Sequence, residues 1–175
     1  MMLEVTVESV RASLMSPQRL VVLKTSDGQR YLPIWIGTFE ADAIAMELQG
    51  MEAPRPMSHD LLKEAILALG GKVSHVIIHD LQHDVFFANV VLVSERGEVK
   101  LDSRPSDSIA LAVRLDAPIF VDTSVMERAG ISRERDLREA AATKSEPDDE
   151  SLEIFREFIE EISFDSAAKD AEEDV

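Results

Sequence analysis

The chain of 175 residues has no cysteine, one tryptophan and one tyrosine. Without cysteine it can form no disulfide bond, no thiolate nucleophile and no cysteine-ligated zinc site, and it fits a reducing cytoplasm. No apolar run approaches the ~20 residues that a membrane-spanning helix needs, and the first residues do not have the pattern of a secretory signal. We therefore expect a cytoplasmic protein with no membrane partner.

Basic residues are also scarce, with 18 Lys and Arg against 34 Asp and Glu and a net charge of −16. Residues 1–131 hold 12 basic and 18 acidic residues, whereas residues 132–175 hold 6 and 16, so most of the excess acidity lies near the end of the chain. An acidic surface argues against passive binding of nucleic acid, which relies on Lys and Arg that neutralise phosphates. That objection weakens for residues 1–131, which are only mildly acidic.

The pattern of apolar residues divides the chain into three parts. Residues 1–131 contain the apolar segments of a main domain, and residues 132–151 read as an acidic linker. Residues 152–175 begin with an apolar stripe at helical spacing and predict a short amphipathic C-terminal helix followed by a frayed acidic tail. The stripe consists of Leu152, Phe155, Phe158, Ile159 and Ile162.

The main domain is predicted to be α+β, a compact mix of antiparallel strand groups and at least three helices. Period-2 alternation at residues 3–7 and two apolar runs around Asp27-Gly28 predict strands that include a hairpin. Three further β-rich segments between residues 73 and 101 predict a meander, and residues 118–121 a short strand. Helices are expected to begin near Gly37-Thr38, after Ser58 and at Pro105.

The spacing of His75, His79 and His83 has two interpretations. On a helix, histidines four residues apart can share a zinc ion. The surrounding residues are rich in Val and Ile, however, and predict a strand, in which four residues span about 13 Å, too far for a single metal. We therefore interpret these histidines as strand-surface or turn residues.

An Arg-Pro pair stands at two of the predicted helix entrances. Arg55 precedes a helix that carries Asp60 in its first turn, and Arg104 precedes one that carries Ser106 and Asp107. Proline, serine and aspartate are ordinary helix-start residues, but an arginine there faces the positive end of the helix dipole. Either the arginines pair with carboxylates, or they help to form a site for an anion such as phosphate.

Carboxylates in the first turns of the predicted helices are candidate metal ligands. If Glu40 and Asp42 face the same cleft as Asp60 and Asp107, these carboxylates could hold a divalent cation such as Mg or Mn. For each of them, simple complementation of the helix dipole is the competing interpretation. The sequence contains no Walker loop, no Gly-x-Gly-x-x-Gly and no Gly-x-Ser-x-Gly, so P-loop, Rossmann and hydrolase-elbow chemistries have no support.

At these positions the sequence resembles the bifunctional nuclease (BFN) domain family. The similar segments are LPIWIG at residues 32–37 with Glu40, RPMSHD at 55–60, LDSRPSDSIALAVR at 101–114 and PIFV at 118–121. The resemblance covers about residues 1–131 and implies a compact α+β domain that self-associates. Plant members of the family are described as nucleases that act on both RNA and DNA.

The resemblance implies a nuclease with little sequence preference, acting on nucleic acid as substrate and forming homo-oligomers. From their chemistry, we expect His59 to be the general acid or base, together with Asp60, Asp107 and Glu40 as catalytic residues. Arg55, Arg104 and Ser106 are expected to bind phosphate. Glu40, Asp60 and Asp107 are expected to hold the metal.

Two other functions remain open at this stage. In one, the chain is a non-catalytic oligomeric adaptor, and the Arg-Pro entrances are ion pairs that hold the fold. In the other, the same helix entrances bind a small anion or nucleotide in a regulatory module. Metal-dependent turnover separates the nuclease from both.

Overall fold

A computed structural model describes residues 1–12 and 18–132 of the chain. The C-terminal helix and nearly all of the linker lie outside the described residues and stay predictions. Within the described part, no helix is long and apolar enough to cross a membrane.

The described residues form one seven-stranded sheet. Its strands are β1 Met2–Ala12, β2 Arg19–Thr25, β3 Tyr31–Ile36, β4 Lys72–Gln82, β5 Val85–Ser94, β6 Gly97–Ser103 and β7 Ile119–Asp122. They lie in the order β3-β2-β1-β7-β4-β5-β6, and all neighbours are antiparallel except β4 and β7, which run parallel. The predicted hairpin and the predicted meander are therefore the two halves of a single sheet, joined through the short β7.

Four helices accompany this sheet in the described ranges, which confirms the predicted α+β class. They are α1 Thr38–Leu48, α2 Ser58–Ala68, α3 Pro105–Leu115 and α4 Thr123–Ala129. The short α4 was not predicted. Its start is marked by Asp122, whose carboxylate accepts a hydrogen bond of 2.9 Å from the Ser124 N–H, as an N-cap does.

The third helix is the centre of the core. The side chains from Ile109 to Ala112 are essentially inaccessible to solvent, and α3 contacts α1 and α2 as well as β4 and β5. Such a helix must be apolar over most of its surface, and the run Ile-Ala-Leu-Ala provides this.

The interpretation of the three histidines as strand and turn residues is confirmed. His75 and His79 lie in β4, and His83 occupies the turn after it with a φ of 48°, so these histidines do not share a helix face. Pro33 lies in β3, at one edge of the sheet, where a residue without an N–H is tolerated.

Candidate functional site

The first turns of three helices line a cleft of about 560 Å³. Glu40 comes from α1, His59 from α2, and Arg104 and Asp107 from the start of α3. Glu40 and Asp107 are 67 positions apart in the sequence. The packing of α1 and α2 against α3 brings these residues together. The other lining residues are Phe39, Ala43, Met57, Ser58 and Leu62.

Arg104 bridges two carboxylates across the cleft. Its Nε donates to Oδ2 of Asp107 at 2.7 Å, and its Nη2 donates to Oε1 of Glu40 at 2.7 Å and to Oδ1 of Asp107 at 3.2 Å. These hydrogen bonds raise the pKa of Arg104, the one donated to Asp107 most and the one donated to Glu40 next. The arginine side chain is nevertheless 65% exposed. Of the two interpretations offered for the arginine at this helix start, pairing with carboxylates is therefore present. Solvent still reaches the arginine side chain.

His59 and Asp107 form a hydrogen-bonded pair in the same cleft. Nε2 of His59 lies 3.1 Å from Oδ1 of Asp107, and the histidine side chain is only 12% exposed. Burial raises the pKa of the Asp107 carboxyl, but hydrogen bonds from Arg104 and His59 outweigh burial and leave that pKa below its ordinary value. Asp107 is therefore a carboxylate at neutral pH, and it favours the tautomer of His59 that carries a proton on Nε2 and a free lone pair on Nδ1.

The absence of a side chain at Gly37 makes room for Glu40. Gly37 is the N-cap of α1, with a φ of −66° that any residue can adopt. A Cβ built on it would collide with the Glu40 carboxylate. The glycine thus leaves space for the Glu40 carboxylate in its present position, and a Cβ there would displace that carboxylate.

At the other end of α3, Arg114 ties the three helices to one another. Its Nε donates to Oδ1 of Asp60 in α2 at 2.6 Å, and its Nη2 donates to the carbonyl oxygen of Ala43 in α1 at 3.1 Å. Nη1 donates to the carbonyl oxygen of Ala110 within α3 at 2.8 Å. The side chain is 3% exposed. Because Glu40, His59 and Arg104 lie on these same helices, Arg114 helps to fix their spacing.

The structure separates the predicted site residues into two groups. Glu40, His59, Arg104 and Asp107 share the first cleft. Asp60 and Arg55 line a neighbouring cleft of about 450 Å³, and Met57 borders both. Ser106 is buried, at 6% exposure, and is not among the residues that line either cleft.

The position of Asp60 bears on the predicted metal site. Both of its oxygens are engaged, one by Arg114 and the other by the Met57 N–H at 2.7 Å, and these two contacts, Arg114 first, lower the pKa of its carboxyl. Over residues 1–12 and 18–132, no group of three or more histidine or acidic side chains is placed to hold a metal ion. Of the three predicted metal ligands, Glu40 and Asp107 lie beside Arg104 and Asp60 does not. Both oxygens of Asp107 are also engaged, by Arg104 and His59, so a cation there would have to share or displace these contacts.

Two residues of interest were missed from the sequence. Phe39 is 86% exposed at the rim of the cleft, and its place next to Glu40 in the first turn of α1 could have indicated it. Arg114 was missed because it ends an apolar stretch. A single charged residue within such a stretch is itself a signal, since a buried arginine needs partners.

Comparison with known proteins identifies the family of this chain. The profile of the bifunctional nuclease domain matches residues 21–134 of the chain, which include every residue of both clefts. The chain belongs to the bifunctional nuclease domain family. This confirms the resemblance noted in the sequence.

Relatives fall into two groups by length. The chain is 42% identical over 162 residues to an uncharacterized protein of Mycobacterium tuberculosis, covering 93% of this chain and 96% of that one. It is 32% identical over 111 residues to Bifunctional nuclease 1 of Arabidopsis thaliana, covering 61% of this chain and 34% of the plant protein. It is 29% identical over 120 residues to Bifunctional nuclease 1 of Oryza sativa subsp. japonica, covering 66% of this chain and 36% of the rice protein.

Proposed function

We propose that this chain is a nuclease that hydrolyses phosphodiester bonds in both RNA and DNA, with little sequence preference. The observation that carries the proposal is the convergence of His59, Asp107, Arg104 and Glu40 in one open cleft. A base held by a carboxylate beside a partly exposed arginine is a combination that phosphodiester hydrolysis can use. Membership of the family and the names of the plant relatives support the same chemistry.

In this proposal His59 acts as the general base. Asp107 holds Nε2, so the lone pair of Nδ1 accepts a proton from the attacking water as the new P–O bond forms. The P–O bond to the leaving sugar oxygen then breaks, and that oxygen takes a proton from solvent or from the imidazolium. The negative charge of Asp107 then stabilises the imidazolium that forms. Because the attacking group is water rather than a ribose 2′-hydroxyl, one site serves both DNA and RNA.

Arg104 contacts the phosphate in this scheme. Nε and Nη2 are held by the two carboxylates, whereas Nη1 makes no hydrogen bond with any residue in the described ranges. Its two N–H groups can donate to a phosphate oxygen, and the carboxylates keep the guanidinium plane in place. Preorganised donors of this kind stabilise the charge that develops on phosphate in the transition state.

The charge of the cleft supports a role for a divalent cation. With His59 neutral, Arg104 only partly offsets Glu40 and Asp107, so the cluster keeps one net negative charge and repels a phosphodiester. Two carboxylates are the protein ligands that magnesium commonly takes, with water and substrate phosphate completing its shell. Mg or Mn, when bound with the substrate, would supply the missing positive charge. Metal dependence therefore stays a prediction, with Glu40 and Asp107 as the candidate ligands.

Phe39 supplies a base contact beside the phosphate. An aromatic ring that is 86% exposed offers a face on which any nucleobase can stack, and stacking of this kind contributes about 1–3 kcal/mol per base without selecting sequence. An exposed ring is thus consistent with a nuclease of little sequence preference. It also binds without requiring the basic surface that this acidic chain lacks.

The proposal is tested by incubating purified protein with labelled single-stranded RNA and with plasmid DNA, in magnesium, in manganese and in chelator. Arg104→Ala is compared with Arg96→Ala, which removes an arginine from the β5–β6 turn, a position that lines neither cleft. We expect the wild type and Arg96→Ala to cleave both substrates, and Arg104→Ala to lose about a hundredfold or more. Chelator should abolish the cleavage.

Circular dichroism of Arg104→Ala shows whether that variant is folded. Cleavage that persists equally in a folded Arg104→Ala would mean that the site is elsewhere or that another nuclease is present. No cleavage under any condition would favour the adaptor, in which the Glu40–Arg104–Asp107 ion pairs only hold the fold. A rise in melting temperature with a nucleotide but without turnover would favour the anion-binding module.

A further inference from the structure

The two edges of the sheet differ in how they can be approached by another strand. At one edge, β3 contains Pro33, which has no N–H, and Tyr31 is bridged to Ile131 by two backbone hydrogen bonds of 2.8 Å. At the other edge, β6 pairs with β5 alone among the described strands. An edge strand with free N–H and C=O groups is a template for a further strand unless charge or proline blocks it.

The side chains of β6 divide sharply between its two faces. Val99 and Leu101 lie on one face at 50% and 44% exposure, opposite Leu92 and Val90 of β5. Val90 belongs to the main core, so this face continues the core beyond the part that the helices cover. Glu98, Lys100 and Asp102 lie on the other face, exposed to solvent.

The order of these charges suits a second copy of the same strand. When two β6 strands pair antiparallel about a two-fold axis at Val99, each Lys100 lies opposite a Glu98. With the axis at Leu101, each Lys100 lies opposite an Asp102. In both registers the apolar face of one copy continues that of the other. Opposite charges across a strand pair stabilise it, and like charges destabilise it.

We propose that β6 is an interface through which two copies of this chain form a dimer by antiparallel strand addition. Such a contact is isologous, since the same strand serves both partners, and strand addition is a general mode of association. β6 ends at Ser103, and the next residue is Arg104, which lines the cleft. The proposed interface is therefore adjacent to the cleft in the sequence. This inference is independent of the proposed nuclease activity.

The test uses two charge variants of the chain. Lys100→Glu makes the edge wholly acidic, and the double variant Glu98→Lys with Asp102→Lys makes it wholly basic. Each variant places like charges opposite one another in every register, so we expect its dimer dissociation constant to rise about tenfold or more. When the two variants are mixed in equal amounts, acidic and basic edges face each other, and a heterodimer should form. The measurement is sedimentation equilibrium over a range of concentrations, with circular dichroism to show that both variants fold.

Three results would overturn the proposal. One is a wild type that stays monomeric at ~100 μM, a concentration at which even a weak dimer with a micromolar dissociation constant would form. Another is an assembly whose size is the same in the wild type and in both variants, which would place the interface elsewhere, for example at the exposed leucines of α2. The third is loss of the dimer in both variants without its return in the mixture, because a charge-paired edge must be rescued by complementary charge.

Discussion

Two arginines at opposite ends of α3 show what the same side chain does in two surroundings. Arg114 is 3% exposed and reaches three helices, whereas Arg104 is 65% exposed and reaches two carboxylates in an open cleft. A buried guanidinium must satisfy its donors inside the protein, and Arg114 does so with one carboxylate and two carbonyl oxygens. An exposed one can leave a donor for a ligand, as Arg104 does with Nη1.

The contrast between the two arginines separates the residues that stabilise this fold from those that are available for chemistry. Ion pairs that solvent reaches contribute little to folding, about 0–1 kcal/mol, so the Arg104 cluster is not needed for that purpose. Removing one partner of a buried, hydrogen-bonded pair costs much of the folding free energy. Arg114 is therefore needed for stability. We infer that the end of α3 at Arg114 holds the helices, and that the end at Arg104 is available for function.

The largest expected effect in this comparison is on stability. Arg114→Ala should lower the free energy of unfolding by about 2–4 kcal/mol, since it removes a charged hydrogen-bond donor to three groups and leaves Asp60 without its partner. Arg104→Ala should change it by less than about 1 kcal/mol. Urea denaturation followed by circular dichroism measures both. Equal losses in the two variants would remove the distinction.

A second, smaller effect concerns the position of Glu40. Gly37→Ala should displace the Glu40 carboxylate from Arg104 through its Cβ, because the backbone there accepts alanine but the space does not. We expect a fall in cleavage of about tenfold, roughly 1.4 kcal/mol, with little change in melting temperature. Glu40→Gln is the matched variant, since it weakens the same ion pair without a new Cβ. If Gly37→Ala cleaves like the wild type while Glu40→Gln does not, the steric explanation is wrong.

The smallest expected effect appears on acidification. The pKa of Asp60 lies below its ordinary value of 3.8 because of hydrogen bonds from Arg114 and then from Met57. A depressed pKa in the folded state adds stability above the unfolded pKa, and this is lost as the pH falls through the folded pKa. Between about pH 5 and pH 2, stability should therefore fall less steeply in Asp60→Asn than in the wild type.

Asp42→Asn is the control for this pH dependence, because Asp42 is exposed on α1. Asp107, whose pKa is also lowered, still titrates in both variants, so the slope should decrease without vanishing. Chemical denaturation at several pH values gives the slopes. A slope in Asp60→Asn equal to that in Asp42→Asn would show that the Arg114–Asp60 pair does not contribute.

Much of the secondary structure could be predicted because local patterns determine it. Alternation in β1, the Asp27-Gly28 turn and the Pro105 helix start are each recognisable within a few residues. The order of strands could not be predicted, since β7 pairs with both β1 and β4 through contacts between distant segments. The short α4 was missed because seven residues carry little periodicity.

The candidate site divides along the same line. His59, Arg104 and Asp107 were identifiable from residue type and their place at helix starts. Glu40 lies 64 residues before Arg104 in the sequence. Its place in the same cleft depends on how α1 packs on α3, which no local pattern encodes. Asp60 was grouped with Glu40 and Asp107 because helix packing cannot be seen in a local pattern. Asp60 shares the first turn of α2 with His59, but its side chain contacts Arg114.

If the His59–Asp107 pair beside Arg104 performs the chemistry, as we propose, a substitution at His59 must greatly slow cleavage without unfolding the protein. The rate of cleavage of RNA and DNA is compared between His59→Asn and His83→Asn, the latter removing an exposed histidine from the β4–β5 turn, where asparagine tolerates the positive φ. We expect folded His59→Asn to lose about 10²–10⁴-fold on both substrates, while His83→Asn cleaves like the wild type. Equal cleavage by the two folded variants would show that His59 is not the catalytic base.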